Sequence, residues 1–269
     1  MEQVVVKNIH FGDGTPKICV PIVCRSDEEI LKQADFIMSE ARRLEEQYPE
    51  QRLDMIEFRA DYYDHITNST MLDELLEKLR EVLDDRILLF TYRSEEEGGE
   101  LRHDRAENMV DDIYDNVMAS RLVDMVDVEL LSGNYRVART TTKAHDSGMK
   151  CVVSCHDFSI TPRDDKLLEM LRNMEILGGD ILKIATTPKN AFDTRRIIEL
   201  TENINTHKLA AYDINKPIVM ISMGTIGQPT RIARGDAGSA FTFASVGQGS
   251  APGQFSLEEM FKEFSRKNG

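Results

Sequence analysis

Short apolar segments alternate with longer amphipathic segments eight times along the chain. The apolar segments carry few charges, which is typical of strands that are covered on both faces and therefore pair in parallel. The eight predicted strands span residues 18–23, 55–59, 87–92, 125–129, 151–156, 181–185, 218–223 and 240–245. Eight strand–helix units in 269 residues predict one α/β domain over residues 1–269, a (β/α)8 TIM barrel. An open doubly wound sheet is the alternative, and the eight repeats make it less favoured.

The amphipathic segments predict the helices between the strands. The clearest helical period covers residues 28–47, 71–84, 105–120, 164–177 and 191–205, with a last helix at 257–264. The predicted N-caps are Asp27, Thr70, Asp104 and Asn190. Ahead of the first strand, residues 4–9, a turn at residues 12–14 and Lys17 predict a short N-terminal β-hairpin.

The net charge limits the partners of this chain. Its 33 basic and 47 acidic residues give a formal charge of −14, and a negative mean field repels nucleic acid and anionic membranes. No apolar stretch reaches the roughly 18 residues of a membrane span. The first residues lack the basic and apolar regions of a signal peptide, so we expect a cytoplasmic protein. An acidic enzyme with an anionic substrate must therefore gather its positive charge locally.

Ionisable residues occur at the carboxyl ends of the predicted strands, which is where barrels carry their active sites. Six of them belong to five successive strands: Glu57, Arg59, Arg93, Glu129, His156 and Lys183. Any one of these residues alone would more often be a partner in a structural ion pair. Six at one end of a barrel indicate a site, because buried charge is costly unless it is paired or used.

Lys183 and His156 are the candidates for the chemistry. Lys183 lies in an apolar strand, where desolvation favours the uncharged amine that attacks ketones to form an imine. His156 can remove the proton next to such an imine and return it to a departing hydroxyl. Glu97 or Glu129 can orient the imidazole, and the two glycines after Glu97 allow its loop to pack closely under a site. The alternatives are a lysine that snorkels to solvent and a core histidine bonded to backbone.

Two further segments concern ligand binding. Arg231 follows the seventh strand, and its planar guanidinium suits a carboxylate. Barrels also bind phosphate in this region, so both a carboxylate and a phosphate are possible ligands. The segment from Gly247 to Gln254 has the spacing GxGxxxG, which differs from a dinucleotide-binding loop. We interpret it as a substrate-covering lid with Ser250 and Gln254 as polar contacts, with a plain surface loop as the alternative. The sequence contains no HExxH and no paired CxxC, so we expect no metal.

Five motifs follow one another in a specific order. They are Glu57-Phe-Arg-Ala-Asp61, Thr91-Tyr-Arg93 with Glu97-Gly-Gly99, Ser154-Cys-His-Asp157, Lys183-Ile-Ala185 and Ser250-Ala-Pro-Gly-Gln254. Together they resemble the type I 3-dehydroquinate dehydratases over essentially the whole chain. The resemblance implies a hydro-lyase that removes water from 3-dehydroquinate by syn elimination through a lysine Schiff base, giving 3-dehydroshikimate. It also implies catalysis without a cofactor, a homodimer, and the third step of the shikimate pathway to aromatic amino acids.

The resemblance assigns a role to each motif residue. It implies Lys183 as the Schiff-base lysine, His156 as the proton donor and acceptor, and Glu97 as the carboxylate that orients His156. Arg231 takes the substrate carboxylate. The remaining substrate-binding residues that it implies are Glu57, Arg59, Arg93, Ser250 and Gln254. We place Glu129 behind this first layer of contacts.

Two other functions stay open at this point. A class I aldolase is also a barrel with an imine-forming lysine, but it breaks a carbon–carbon bond, and a phosphate-bearing substrate would favour it. A barrel without catalysis, which binds a metabolite or a protein, would be favoured by the loss of Lys183 or His156. Both residues are present.

Overall fold

A short β-hairpin precedes the main sheet in the computed structural model. Its strands are β1 (Val4–Val6) and β2 (Ile9–Phe11), which pair antiparallel and are joined at Lys7, whose φ is 51°. The hairpin is therefore confirmed, but its predicted turn at residues 12–14 is wrong, because the two strands close with only two residues between them. Residues 12–14 lead into the next strand instead, and Asp13 accepts a backbone N–H two residues later at 2.9 Å. The structure describes residues 2–100, 109–247 and 253–266.

Eight parallel strands form the barrel that the sequence predicts. They are β3 (Lys17–Ile22), β4 (Met55–Arg59), β5 (Ile87–Thr91), β6 (Met125–Glu129), β7 (Lys150–Asp157), β8 (Ile181–Thr186), β9 (Ile218–Ser222) and β10 (Phe241–Ser245). From β3 to β9 each strand pairs with the next, and β10 pairs with β3. Across the remaining seam the N–H of Ala240 donates to the carbonyl of Ile218 at 2.8 Å. A two-residue strand, β11 (Phe255–Ser256), pairs in parallel with the carboxyl end of β10.

Helices cover the outside of the barrel. They are α1 (Asp27–Gln47), α2 (Ser69–Leu83), α3 (Val110–Ser120), α4 (Asn134–Asp146), α5 (Asp164–Ile176), α6 (Ala191–Asn205), α7 (Gln228–Ile232) and α8 (Leu257–Ser265). Two helices were not predicted: α4, whose buried face is half threonine, and α7, which is only five residues long. The predicted start of α3 at residues 105–108 and its cap Asp104 lie outside the described residues. Within the described parts of the chain, no helix is long and apolar enough to cross a membrane.

Three N-caps can be compared with their predictions. Ser26 caps α1 and Asn68 caps α2, each accepting a backbone N–H of the first turn, so the predicted caps Asp27 and Thr70 are wrong. Asp27 is the first residue inside α1. Its carboxylate accepts a hydrogen bond from the hydroxyl of Tyr63, after β4, at 2.7 Å. Asn190 caps α6, as predicted.

Alternate residues of each barrel strand face opposite sides, which produces two cores. Outward apolar side chains pack against the helices, and inward ones fill the barrel. At the amino end of the barrel, Phe11 of the hairpin meets Phe241 edge to face, with ring centroids 6.4 Å apart. In β6 the inward residues are Met125 in the apolar layer, then Asp127 and Glu129 toward the carboxyl end. The apolar interior thus supports a layer of charged side chains.

Candidate active site

A cavity of about 210 Å³ opens at the carboxyl end of the barrel. It is lined by every predicted site residue that lies within the described ranges: Glu57, Arg59, Arg93, Glu97, His156, Lys183, Arg231 and Gln254. Apolar side chains complete the wall: Phe158, Ala185, Ile221, Met223 and Phe243. The predicted contact Ser250 lies outside the described residues. Residues scattered over nearly 200 positions therefore meet in one cavity.

Lys183 lies on β8 and points into the barrel. The residue is 3% exposed, so the side chain does not extend to solvent. Its Nζ is 3.5 Å from Oδ2 of Asp127 and 5.0 Å from the ring centroid of Phe243. The amine is thus held between a carboxylate and an aromatic face, at the edge of a cavity large enough for a small ring.

His156 is fixed by Glu97. One carboxylate oxygen, Oε2, accepts both the backbone N–H of His156 and its Nδ1–H, each at 2.9 Å. With the proton on Nδ1, the lone pair of the imidazole is on Nε2. Burial lowers the pKa of His156 well below 6.5, and the positive charges of Arg93, Lys183 and Arg59 add to this effect. The imidazole is therefore a neutral base at neutral pH.

Glu97 itself sits in a short 3-10 turn that follows β5. Burial raises its pKa to about 8, and Arg93 at 3.5 Å opposes that rise. The turn packs tightly because of the two glycines after Glu97. A Cβ on Gly98 would come within 2.5 Å of the Phe158 ring, and a Cβ on Gly99 would overlap the carbonyl of Arg93. The glycines allow the close approach that places Glu97 under His156.

Arg93 is enclosed by carboxylates. Its guanidinium donates to Oδ1 of Asp127 at 2.9 Å, to Oε1 of Glu129 at 3.2 Å and to Oγ of Ser154 at 2.8 Å. Burial alone would lower the pKa of Arg93, but Asp127, Glu129 and Glu97 hold it above its ordinary value. Arg93 reaches the cavity wall, and most of its hydrogen bonds go to this network. Glu129 does not line the cavity, and it also accepts the N–H of Ser94 at 2.8 Å.

Asp127, which lies at the centre of this network, was not predicted as a site residue. The residue is fully buried in β6. Its position two residues before Glu129, in an otherwise apolar strand, was the available signal, because both residues must face the same side of the strand. The contact between Asp61 and Arg59 was not predicted either. Asp61 accepts two hydrogen bonds from Arg59, each at 2.8 Å. That bidentate pair holds Arg59 at the cavity wall.

Glu57 and Arg231 also line the cavity. Glu57 accepts a hydrogen bond from Thr91 at 2.9 Å. Arg231, on α7, is 4% exposed, and among the described residues no carboxylate pairs with it and its Nε has no hydrogen-bond partner. Burial lowers the pKa of Arg231 to about 10. A buried guanidinium that faces a cavity without a counter-charge is suited to an anionic ligand.

Residues 2–100, 109–247 and 253–266 contain no group of side chains arranged to bind a metal ion. No group of three or more histidine, cysteine, aspartate or glutamate side chains is placed there to hold an ion. The acidic side chains near the cavity are instead engaged by Arg59 and Arg93.

The sequence model of the type I 3-dehydroquinases matches residues 18–265. The chain belongs to this family. It is 35% identical to the 3-dehydroquinate dehydratase of Clostridioides difficile over 258 residues, which are 96% of this chain and 94% of that protein. It is 33% identical to the enzyme of the same name from Listeria monocytogenes over 260 residues, 97% of this chain and 96% of that protein.

Solved structures agree with the family assignment. The type I 3-dehydroquinate dehydratase of Clostridium difficile, with covalent modified comenic acid, superposes with a TM-score of 0.85 at 34% identity, covering 97% of this chain and 96% of that one. The 3-dehydroquinate dehydratase of Geobacillus kaustophilus superposes with a TM-score of 0.86 at 31% identity, covering 98% and 95%. The predicted fold and hydro-lyase family are confirmed.

Proposed function

We propose that this chain removes water from 3-dehydroquinate through an imine on Lys183, giving 3-dehydroshikimate in the third step of the shikimate pathway. One observation carries this assignment of roles: the buried amine of Lys183 and the neutral imidazole of His156 line one cavity. The covalent modified ligand in the Clostridium difficile relative supports a site that forms adducts. Family membership favours this elimination over the aldolase and the barrel without catalysis.

The first step forms the imine. The ammonium of Lys183 gives up one proton, and the free amine adds to the substrate ketone. The carbonyl oxygen leaves as water, and return of that proton gives the protonated imine. A proton next to a ketone is too weakly acidic for imidazole to remove quickly. The protonated imine accepts the electron pair that is released, so the carbanion is held as an enamine. The apolar wall with Phe243 keeps bulk water away from this nitrogen.

The second step moves the protons. Nε2 of His156 takes the C2 proton and then protonates the C1 hydroxyl as it leaves as a second water. Glu97 holds the ring so that the same nitrogen reaches both positions, which is the requirement for a syn elimination. Hydrolysis of the product imine releases 3-dehydroshikimate and restores Lys183. Every step uses side chains of this chain, and no cofactor takes part.

Different residues of the cavity bind the carboxylate and the ring hydroxyls of the substrate. We assign the substrate carboxylate to Arg231, because its buried charge has no partner in the described residues. Glu57, Arg59 and Arg93 then position the ring hydroxyls. Gln254 lines the cavity and belongs to the segment predicted as a lid. We assign Ser250, in the same segment, as a further substrate contact from the sequence motif.

We further propose a single catalytic domain over residues 1–269 that works as a cytoplasmic homodimer. Exposed apolar side chains support an interface: Leu131 and Tyr135, which follow β6, are 69% and 80% exposed. Light scattering should give twice the monomer mass of 30.6 kDa. A monomer mass at micromolar concentration would contradict the dimer.

Borohydride trapping tests the proposed mechanism. Reduction in the presence of 3-dehydroquinate should add the mass of the reduced ligand to the intact protein, and peptide mapping should place it on Lys183. The Lys183→Ala variant should carry no label. Lys150 is the internal control, because it lies at the other end of the barrel on β7. A label on Lys150, or an unlabelled wild-type protein, would contradict the mechanism.

A further inference from the structure

Asp127 divides its two carboxylate oxygens between different neighbours. Oδ1 accepts hydrogen bonds from Oγ of Ser154 at 2.6 Å and from Nη2 of Arg93 at 2.9 Å. Oδ2 is buried, has no hydrogen-bond partner among the described residues, and lies 3.5 Å from Nζ of Lys183. One oxygen is therefore held in place, and the other faces the nitrogen on which the proposed imine forms.

The carboxylate form of Asp127 is maintained by its surroundings. Burial alone would raise the pKa of this fully buried side chain, but Arg93, Lys183 and the hydroxyl of Ser154 outweigh burial and hold the pKa below 3.8. Asp127 is thus a fixed negative charge in a low-dielectric interior, where electrostatic interactions are stronger than in water.

Other ionisable groups surround the pair from the neighbouring strands and loops. They are Cys19 on β3, Glu57 and Arg59 on β4, Arg93 and Glu97 after β5, Glu129 on β6 and His156 on β7. In residues 2–100, 109–247 and 253–266, Asp127 is the carboxylate that forms an ion pair with Nζ of Lys183. Glu129, on the same face of β6, pairs with Arg93 instead.

We infer that Asp127 is the counter-ion that keeps the imine nitrogen of Lys183 protonated during turnover. This inference rests on the proposed imine. The ammonium of Lys183 and the ketone give a protonated imine and water, so a single positive charge stays on the nitrogen beside Asp127. Loss of its proton leaves a neutral imine, which accepts the electron pair from C2 poorly. Asp127 opposes that loss, because releasing the proton would remove the positive charge that its Oδ2 faces.

The test uses Asp127→Asn and a matched control, Glu129→Gln. Both substitutions remove one carboxylate partner of Arg93 from the same face of β6, but only Asp127 reaches Lys183. Each protein is saturated with 3-dehydroshikimate from pH 6 to 10 and treated with cyanoborohydride, which reduces protonated imines. Intact mass then gives the fraction of trapped adduct at each pH.

The expected result is a displaced pH midpoint. In Asp127→Asn, the pH at which trapping falls to half should drop by about one to three units, the size of effect that an opposite charge at this distance exerts. Glu129→Gln should stay within about half a unit of wild type. Equal midpoints for Asp127→Asn and wild type, or an equal drop in Glu129→Gln, would overturn the inference. If wild type traps no adduct at any pH, the proposed mechanism itself fails.

A measurement on wild type covers the case in which Asp127→Asn does not fold. Protein labelled with ¹³C at the aspartate carboxyl groups is titrated as the adduct with 3-dehydroshikimate. One buried carboxylate resonance should shift with the same midpoint as the loss of trapping, because the neighbouring positive charge disappears. A titration in which no aspartate resonance follows that midpoint would overturn the inference.

Discussion

The chemistry of each site residue depends on neighbours from other parts of the chain. His156 is a neutral base because it is buried among three positive side chains, and it keeps its orientation because Glu97 accepts both of its N–H groups. Arg231 is suited to an anion because the fold buries it without a carboxylate partner among the described residues. The same residue types on an exposed helix would have ordinary properties.

The pH dependence of catalysis should report the environment of His156. The proposed mechanism requires the neutral imidazole, so protonation of His156 should lower kcat/KM only where its lowered pKa is reached, well below pH 6.5. Replacing Arg59 by Gln removes one of the positive charges that lower this pKa. The pH at which kcat/KM falls on the acidic side should therefore increase. Direct titration of the His156 imidazole by NMR with a midpoint at or above pH 6.5 would contradict the neutral-base assignment, and it distinguishes His156 from Glu97, whose pKa is about 8.

Arg231→Ala should weaken substrate capture strongly. Removing one partner of a buried charge pair costs about 2–5 kcal/mol, which corresponds to a drop of roughly 30-fold or more in kcat/KM. Arg231→Lys should recover part of the loss, since it restores the charge without the planar fork. Arg163→Ala is the control, because that side chain is 86% exposed and pairs with Asp165 on the surface. An unchanged kcat/KM in Arg231→Ala would place the carboxylate elsewhere.

At the scale of elements, strand register decides which side chains meet. In the β7–β8 ladder Ser154 is opposite Lys183 and His156 is opposite Ala185. Because side chains alternate along a strand, a slip of one residue would turn Lys183 toward the helices. The turn after β5 contributes equally, since it carries Glu97 to the backbone of His156.

Gly99→Ala should disturb this turn and with it the imidazole. The added Cβ would overlap the Arg93 carbonyl, so the backbone must shift and Glu97 must move with it. A displacement of about 1 Å can reduce turnover on the order of 10²-fold. Gly133→Ala is the control: its backbone is also unfavourable for a side chain, with φ at 100°, but nothing lies within 4 Å of the added atom. The control should lose stability and keep its kcat; equal kcat in both variants would contradict the role of the turn.

At the scale of the whole molecule, the barrel separates stability from catalysis. The amino end is closed by the hairpin and an apolar layer, and the carboxyl end carries the charged cavity. The chain has a net charge of −14, yet the described cavity gathers Arg59, Arg93, Lys183 and Arg231. Arg59, Arg93 and Lys183 pair with carboxylates, whereas Arg231 has no carboxylate partner in the described residues. Arg231 is therefore the positive charge in the cavity that is suited to an anionic ligand.

Phe11→Ala should therefore affect folding and leave catalysis nearly unchanged. Phe11 is 0% exposed and packs against Phe241 at the closed end, so truncation should lower the free energy of unfolding by about 3–5 kcal/mol. Urea denaturation measures this change, and kcat of the folded protein should stay within about twofold of wild type. Phe36→Ala, at a residue that is 48% exposed, is the matched control and should change stability little. A loss of kcat in Phe11→Ala at full folding would show that the two ends are coupled.

The sequence by itself determined the eight strands, the end of the barrel at which the cavity opens, and the polar residues that line this cavity. Strand periodicity and the order of motifs are properties of the chain read along its length, so they need no distances. The tertiary structure decided that Asp127 faces Lys183, that Arg93 is enclosed by carboxylates, and that Arg231 has no carboxylate partner in the described residues. These contacts join side chains from different strands. Their distances depend on the curvature and stagger of the closed barrel, which no local pattern records.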